Sequence, residues 1–423
     1  MADTHNAETS NTEANQIAGG NIVLTGFMGT GKTTVGRLLA EHLGFEVIDT
    51  DALIENRFGP IPQIFQQHGE PRFREIEREV ATELGQMSGL VIATGGRMML
   101  DPTNIQSLTR NGRVFCLAAT PDEIMQRVTA DHGAVERPLL AVPDPRQRIV
   151  ELLAERTPEY RRFAQLTTDG RTPEAIADEL ATLVRTGPRR FAVKNPSGDY
   201  HYVVGTAILP LVRRLASIDG PMVVVTEPRA ASLYVPIIPD PDLVIQLPAA
   251  EVGGKTLDRS LSVVERIKHQ LIEAGMDHSA TMVSLGDGVV ADVAAFVAAT
   301  YDSDLDLVHC PTDLTAMIDI NIDGRAAPDP GEGRDLGGKS KPPKMIVADV
   351  ATLQTLSPRR FAAGMAEVVK QGLIADSALP ASVEGGARHN DKHSLAGRLG
   401  DLQALVTQAA QVKIARVKGN RFD

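Results

Sequence analysis

Two cysteines, Cys116 and Cys310, are all that 423 residues contain. They make no disulfide framework, so a reducing, cytoplasmic setting is expected. Both lie in apolar runs and read as buried thiols. Positive charge is in deficit as well: 43 Lys+Arg stand against 54 Asp+Glu, a net charge of −11. That excludes a general nucleic-acid binder, which carries a basic excess, and it argues against an anionic membrane surface as main partner. No run reaches the roughly 18–20 apolar residues that cross a bilayer. The richest stretch, residues 289–299, is broken by Asp292. Residues 1–19 are polar, carry several acids and lack an apolar segment. They read as a disordered tail, not as a signal peptide. Internal repeats are absent too.

What is present is globular: 43% hydrophobic and 23% charged residues, in a length that suggests two or three domains. Short apolar runs at residues 21–25, 45–48, 90–94 and 113–118 alternate with helical spacing at 33–43, 52–58, 73–84, 120–128, 146–163 and 173–184. Such alternation predicts a parallel sheet covered on both faces. The Gly- and Pro-punctuated stretch 186–199 reads as a linker. A second αβ pattern begins near Tyr200, with strand candidates at 202–205, 222–226, 243–247, 282–285, 305–309 and 345–347. Residues 324–343 read as a long loop, and from residue 350 the pattern is helical.

The first glycine-rich turn carries the strongest chemical signal. Residues 26–34, G-F-M-G-T-G-K-T-T, fit G-x-x-x-x-G-K-[ST] between a strand and a helix. Gly29, Thr30 and Gly31 let backbone N–H groups curl around phosphate oxygens, and the helix N-terminus adds its partial positive charge. Lys32 reaches the β- and γ-phosphates, Thr33 offers a hydroxyl to Mg²⁺, and Thr34 follows in the first turn. Asp49 and Asp51 close the next strand at spacing two, which points both to one side. One carboxylate can order Mg²⁺ through water and the other can accept a hydrogen bond from an attacking hydroxyl. A helix N-cap cluster would account for one of the two.

Six stretches then occur in order: this loop, I-D-T-D (48–51), F-R-E-I-E (73–77), A-T-G-G (93–96), E-R-P-L-L (136–140) and E-R-T-P-E-Y (155–160). Over residues 21 to about 184 the chain resembles the shikimate kinases. The resemblance implies a soluble cytoplasmic enzyme that transfers a phosphoryl group from ATP, with Mg²⁺, to the 3-hydroxyl of shikimate on the route to chorismate. Asp51 would hold the acceptor hydroxyl. Arg74 and Arg156 would clamp its carboxylate, and Gly95 and Gly96 would let backbone approach the ring. Arg137 would sit on a lid over ATP and Arg171 near the adenine, with Asp49 serving the metal through water. The family has a third glycine where this chain has Arg97. If that position needs positive φ, the substitution carries strain.

From Tyr200 onward, G-D-G-V-V-A-D (286–292), P-T-D-L (311–314), M-I-D (317–319) and A-G-M-A-E-V-V-K-Q-G (363–372) resemble 3-dehydroquinate synthase, an NAD- and zinc-dependent family. Together the two resemblances imply a P-loop kinase domain (20–185), the linker (186–199), a Rossmann-like α/β domain (200–349) and the start of a helical domain (350–423). The departures are systematic. Asp287 and Ala291 replace glycines of the NAD turn, where a carboxylate repels pyrophosphate. Two site lysines of the family align with Arg325 and Arg334, and an asparagine with Asp335. Lys255, Asp292 and Glu367 persist. Glu367 matches one zinc ligand, but the chain ends before the two histidines, and a catalytic zinc site takes three protein ligands. His389 and His393, at spacing four, sit in loop-like sequence. The expectation is a second half without synthase chemistry, kept as a stabilising or dimerising module or left by truncation, with the apolar face of 402–417 available for self-association. The competing readings are a bifunctional kinase/synthase and a non-enzymatic nucleotide sensor.

Overall fold

The computed structural model describes residues 20–130, 138–140, 142–195, 198–248, 260–301, 305–320, 322, 341–375 and 398–419. They divide into two compact units between Gly187 and Pro188.

The first unit is built on five parallel strands: β1 (Asn21–Gly26), β2 (Glu46–Asp49), β3 (Leu90–Ala93), β4 (Gly112–Ala118) and β5 (Ala164–Thr167). Their order is β2-β3-β1-β4-β5, and β1 runs in register with β3 on one side and β4 on the other. Strands β1 and β3 are buried throughout, the pattern of strands covered on both faces. The helices are α1 (Lys32–Leu43), α2 (Thr50–Phe58), α3 (Ile61–Gln86), α4 (Pro102–Thr109), α5 (Pro121–Ala130), α6 (Pro145–Tyr160) and α7 (Pro173–Thr186). Proline stands in the first turn of α3, α4, α6 and α7, where its missing N–H would be unpaired anyway. Helix α3 is broken at Gly69, φ 77°, two residues before Pro71. Its longer C-terminal part, which the sequence reading placed at residues 73–84, buries Phe73, Ile76, Val80 and Leu84.

The second unit is a seven-stranded sheet in the order β6-β7-β12-β11-β10-β8-β9. Its strands are β6 (Arg189–Val193), β7 (Tyr200–Gly205), β8 (Met222–Thr226), β9 (Leu243–Gln246), β10 (Thr281–Gly286), β11 (Asp306–Pro311) and β12 (Met345–Asp349). All pairings are parallel except that of β6 with β7. One face packs on α9 (Leu261–Glu273) and α10 (Gly288–Thr300), which bring Ile267, Leu271, Val293 and Val297 against Val223 and Val225. The helix α8 (Pro228–Tyr234) follows β8. The other face packs on α11 (Pro358–Ala375) and α12 (Leu399–Gly419), with Leu402, Val406 and Ala409 against Tyr202 and Ile346.

Three expectations change here. The stretch 186–199 is not all linker, because residues 189–193 add an antiparallel edge strand to β7. The helices after residue 350 do not start a separate domain; they share one core with the sheet. For the same reason the apolar face beginning at Leu402 is already covered within the chain, so it supplies no ground for a dimer. Both cysteines are buried and free. Asp349 is buried at the end of β12, where it accepts from the amides of Ala207, Ile208, Leu209 and Ala351 at 2.8–3.0 Å. A buried carboxylate needs such donors, and these fix the turn after β7. Among the described residues no helix is long and apolar enough to cross a membrane.

Candidate active site

The site of the first unit lies at the carboxyl edge of its sheet, where open parallel sheets bind ligands. Strand β1 ends at Gly26, and the chain reaches α1 through Gly29 (φ 75°) and Gly31 (φ 92°). Both sit in left-handed conformations that glycine adopts without strain. Gly31 caps α1 and has no side chain to offer the first turn. The helix end is thereby left to bind an anion through its backbone donors and dipole. Thr30 is buried, its hydroxyl donating to Phe27 O at 2.8 Å. The Lys32 ammonium folds back over the loop, donating to Gly26 O at 3.0 Å and Phe27 O at 2.9 Å. Thr33 and Thr34 are exposed in the first turn.

Thr33 Oγ1 donates to Asp49 Oδ2 at 2.6 Å. Asp49 Oδ1 accepts from the amides of Asp51 at 3.1 Å and Ala52 at 3.2 Å, which makes Asp49 the N-cap of α2. The two aspartates therefore do not share a side by strand alternation. Strand β2 stops at Asp49, and Asp51 lies in the first turn of α2. Asp49 thus caps α2 with one oxygen and meets the Thr33 hydroxyl with the other. A hydroxyl beside a carboxylate at a phosphate loop is the hard-oxygen set that suits Mg²⁺.

Burial pushes the Asp51 carboxyl above the usual carboxylate range. The charge of Asp49 adds to this, while Lys32 and Arg74 pull the other way. Gly95 packs directly against it: a Cβ at that position would lie 2.4 Å from Asp51 Oδ1. The Gly95 amide donates to Thr50 Oγ1 at 2.9 Å. At Gly96 a Cβ would lie 3.8 Å from an Arg156 guanidinium nitrogen and 3.9 Å from Gly26 O and Met28 N. Gly96 thus lies between the Arg156 guanidinium and the phosphate loop, and Tyr160 steadies it by donating to its carbonyl at 2.5 Å.

The two arginines differ. Arg74 is held by two carboxylates: Nε and Nη2 donate to Glu70 Oε1 at 3.2 and 2.7 Å, and Nη1 donates to Glu77 Oε2 at 2.6 Å, which leaves two of its five N–H donors for a ligand. Arg156 is 2% exposed, its guanidinium 5.2 Å from the centre of the Phe27 ring, and its Nε has no hydrogen-bond partner. An unpaired donor on a buried cation is costly, and a planar carboxylate would satisfy it.

Arg97 has φ −116° and ψ −8°, an ordinary right-handed conformation, so its place after two glycines carries no backbone strain. Its guanidinium is half exposed and 4.0 Å from Glu70 Oε1. Arg171 donates to Glu179 Oε2 at 2.6 Å, Ala175 O at 3.2 Å and Thr167 O at 3.3 Å, tying α7 to the end of β5. Arg137 lies outside the described residues. Two residues were not anticipated from sequence. Glu77 is the buried partner that orients Arg74. Arg127 donates to Thr168 Oγ1 at 2.8 Å, Thr168 O at 2.7 Å and Gly29 O at 3.4 Å, joining the phosphate loop to the end of β5. A cation one turn beyond Glu123 on the helix after β4 was the available signal.

In the second unit Asp287 caps α10 and Asp292 lies within that helix. Glu367 Oε2 is 2.7 Å from Lys370 Nζ, and its buried Oε1 has no partner. Lys255, Arg325, Arg334, Asp335, His389 and His393 lie outside the described residues. Among the described residues no three metal-ligating side chains converge. Glu367, beside a lysine, does not make a zinc site alone.

A parallel α/β sheet, a glycine loop with its lysine and threonine, and a carboxylate facing them define a P-loop nucleotide-binding protein. Family models match twice: shikimate kinase over residues 28–185 and 3-dehydroquinate synthase N-terminal over residues 249–363. The shikimate kinase of Caldanaerobacter subterraneus subsp. tengcongensis is 47% identical over 163 residues, 38% of this chain and 93% of that one. The bifunctional shikimate kinase/3-dehydroquinate synthase of Thermotoga maritima is 30% identical over 355 residues, 84% of this chain and 67% of that one. A solved shikimate kinase from Acinetobacter baumannii in complex with shikimate is 37% identical, covering 41% of this chain and 97% of its own, with a TM-score of 0.37. The chain belongs to the shikimate kinase family.

Proposed function

We propose that the first unit transfers the γ-phosphoryl group of ATP to the 3-hydroxyl of shikimate, giving shikimate 3-phosphate for aromatic amino acid synthesis. The observation that carries this reading is Arg156. It is a buried guanidinium with an unsatisfied donor, one glycine away from the carboxylate that abuts Gly95. Such a cleft suits a small ring bearing both a carboxylate and a hydroxyl.

The phosphate loop and Lys32 hold the β- and γ-phosphates, trading the carbonyl contacts of Lys32 for phosphate oxygens. Thr33 and Asp49 would hold Mg²⁺, which supplies charge neutralisation at the phosphates when bound. Asp51 accepts the hydrogen bond of the ring hydroxyl and aims its oxygen at phosphorus. Its proton affinity, raised by burial, suits it to receive that proton as the bond forms. Arg156 and Arg74 clamp the ring carboxylate, Arg74 being oriented by Glu70 and Glu77 and lending its charge to the Asp51 side as well. Arg137 is assigned to steady the phosphoryl oxygens and Arg171 to the adenine side. Residues 20–185 are proposed as the unit sufficient for this chemistry.

The test is ADP release by the full chain with and without shikimate. Shikimate-dependent release at least about a hundredfold above the water-driven background is expected; equal release in both arms overturns the reading. A second reading, a bifunctional kinase and synthase, is favoured by the Thermotoga maritima relative, whose match runs through both units. Zinc content together with 3-dehydroquinate formation decides it.

A further inference from the structure

The second unit has its own strand-to-helix turn at the carboxyl edge of a parallel sheet. Strand β10 ends at Gly286 and α10 begins at Gly288. Such a helix N-terminus is the place where open α/β sheets receive a nucleotide's phosphates. Here the place is taken from within. Asp287 Oδ1 accepts from the Val289 amide at 3.1 Å and the Val290 amide at 3.4 Å. Asp287 Oδ2 accepts from Arg360 Nη2 of α11 at 2.9 Å.

The neighbouring strand ends add more negative charge. Glu227 follows β8; it is 8% exposed and its Oε1 has no partner. Asp313 follows β11, and burial pushes its carboxyl up. Both carboxyls are pushed further by the charge of Asp287, with Arg360 opposing. Arg229 also faces Glu227, but one arm of its guanidinium is bound to Thr355, at 2.7 Å to both its carbonyl and its hydroxyl. Three carboxyls therefore surround the turn, and the guanidinium nearest the helix end is already paired.

We propose that this helix N-terminus is a closed anion site: the Asp287 carboxylate takes the donors that a pyrophosphate would use, Arg360 latches it there, and the second unit excludes NAD and other dinucleotides. A pyrophosphate could enter only by displacing Asp287 from the cap and from Arg360. The freed carboxylate would then stand one residue from the entering charge and repel it. The described residues at this turn do not fit the dinucleotide. This inference concerns the second unit alone and is independent of the kinase reading.

The experiment is calorimetric titration of NAD into the full chain, with saturating Mg²⁺ and ADP to fill the phosphate loop of the first unit. No saturable binding is expected up to about 1 mM NAD. Asp287→Gly removes the plug. Asp287→Asn removes the charge while keeping a good cap, so it protects against a folding failure. At least one of the two is expected to bind NAD about tenfold or more tightly than the native chain's limit. Native binding with a Kd below about 100 μM overturns the proposal. So does the failure of both variants to bind while melting as the native chain does.

Discussion

Helices α1 and α10 begin in the same way and end up with opposite capacities. Each follows an inner strand of a parallel sheet, β1 in one unit and β10 in the other. The cap of α1 is Gly31, with no side chain, and Lys32 beside it. The cap of α10 is Asp287, whose carboxylate fills the helix end and is itself matched by Arg360. A helix terminus has a fixed dipole and a fixed set of unpaired donors. Whether these serve a ligand or the chain is decided by one residue at the cap. Fold class predicts neither outcome, which is why function has to be argued from the site.

The sharpest way to break the comparison is to strip the open end of its charge. Lys32→Met leaves the glycine loop in place but removes the ammonium that accompanies the phosphates. Shikimate-dependent ADP release is expected to fall by about 10³ or more. A folded Lys32→Met chain with native turnover would mean that the open helix end is not the phosphate site.

The next effect tests the acceptor side. Asp51→Asn keeps the shape against Gly95 and loses the hydrogen-bond acceptor and base, so kcat is expected to drop about 10²–10⁴-fold. The native pH–rate profile should fall on the acid side, below the raised Asp51 pKa. Stability moves the other way. Because the folded carboxyl holds its proton more tightly than the unfolded one, its contribution is fully present below the ordinary aspartate range and is lost as pH rises through the raised value. Asp51→Asn escapes that loss and is expected to melt higher than the native chain at neutral pH. Thermal melts across the acid and neutral range check the sign; a lower neutral melting temperature contradicts the burial argument.

Arg156→Lys ranks third. The ammonium keeps the charge but loses the planar fork and the stacking on Phe27. The KM for shikimate is expected to rise about ten- to a hundredfold with a smaller change in kcat. An unchanged KM would place the acceptor carboxylate elsewhere.

The parts of this molecule that were legible in its sequence are those fixed by local chemistry. The phosphate loop was readable because glycine, lysine and hydroxyl spacing along a turn admits few alternatives. Strands β1, β3, β8 and β10 were readable because burial on both faces writes continuous apolar runs. Strand β5 was missed: it has four residues with alternating exposure and follows directly on the helical pattern of α6. Strand β6 was missed because it is an edge, largely exposed, with Arg189 and Arg190 in place of an apolar pattern. Asp51 was singled out by its spacing from Asp49, but the strand argument behind that spacing fails, since β2 stops at Asp49 and the helix begins at Thr50. For Arg127 spacing showed only the pair with Glu123, while its partners Thr168 and Gly29 lie far along the chain; for Glu77 the spacing from Arg74 was visible but the burial was not.

The smallest expected effect belongs to Arg97, and it sharpens the contrast between a guanidinium that awaits a ligand and one that does not. Arg156 is buried with an open donor, whereas Arg97 is half exposed and only loosely paired with Glu70. Exposed pairs of this kind contribute little, and its φ of −116° holds no strain for a glycine to relieve. Arg97→Gly should therefore gain nothing from the family's preferred residue. The added freedom of the unfolded chain should instead lower stability by about 0.5–1 kcal/mol. The KM for shikimate is expected to stay within about threefold of the native value, because screening by solvent weakens a charge so exposed. A tenfold rise in KM, with kcat unchanged, would show that Arg97 turns inward when the acceptor binds and acts as a further carboxylate ligand beside Arg156. A raised melting temperature would show that the backbone there is strained after all. Steady-state kinetics and one melt on a single variant thus separate an ornament at the cleft's edge from a specificity residue within it.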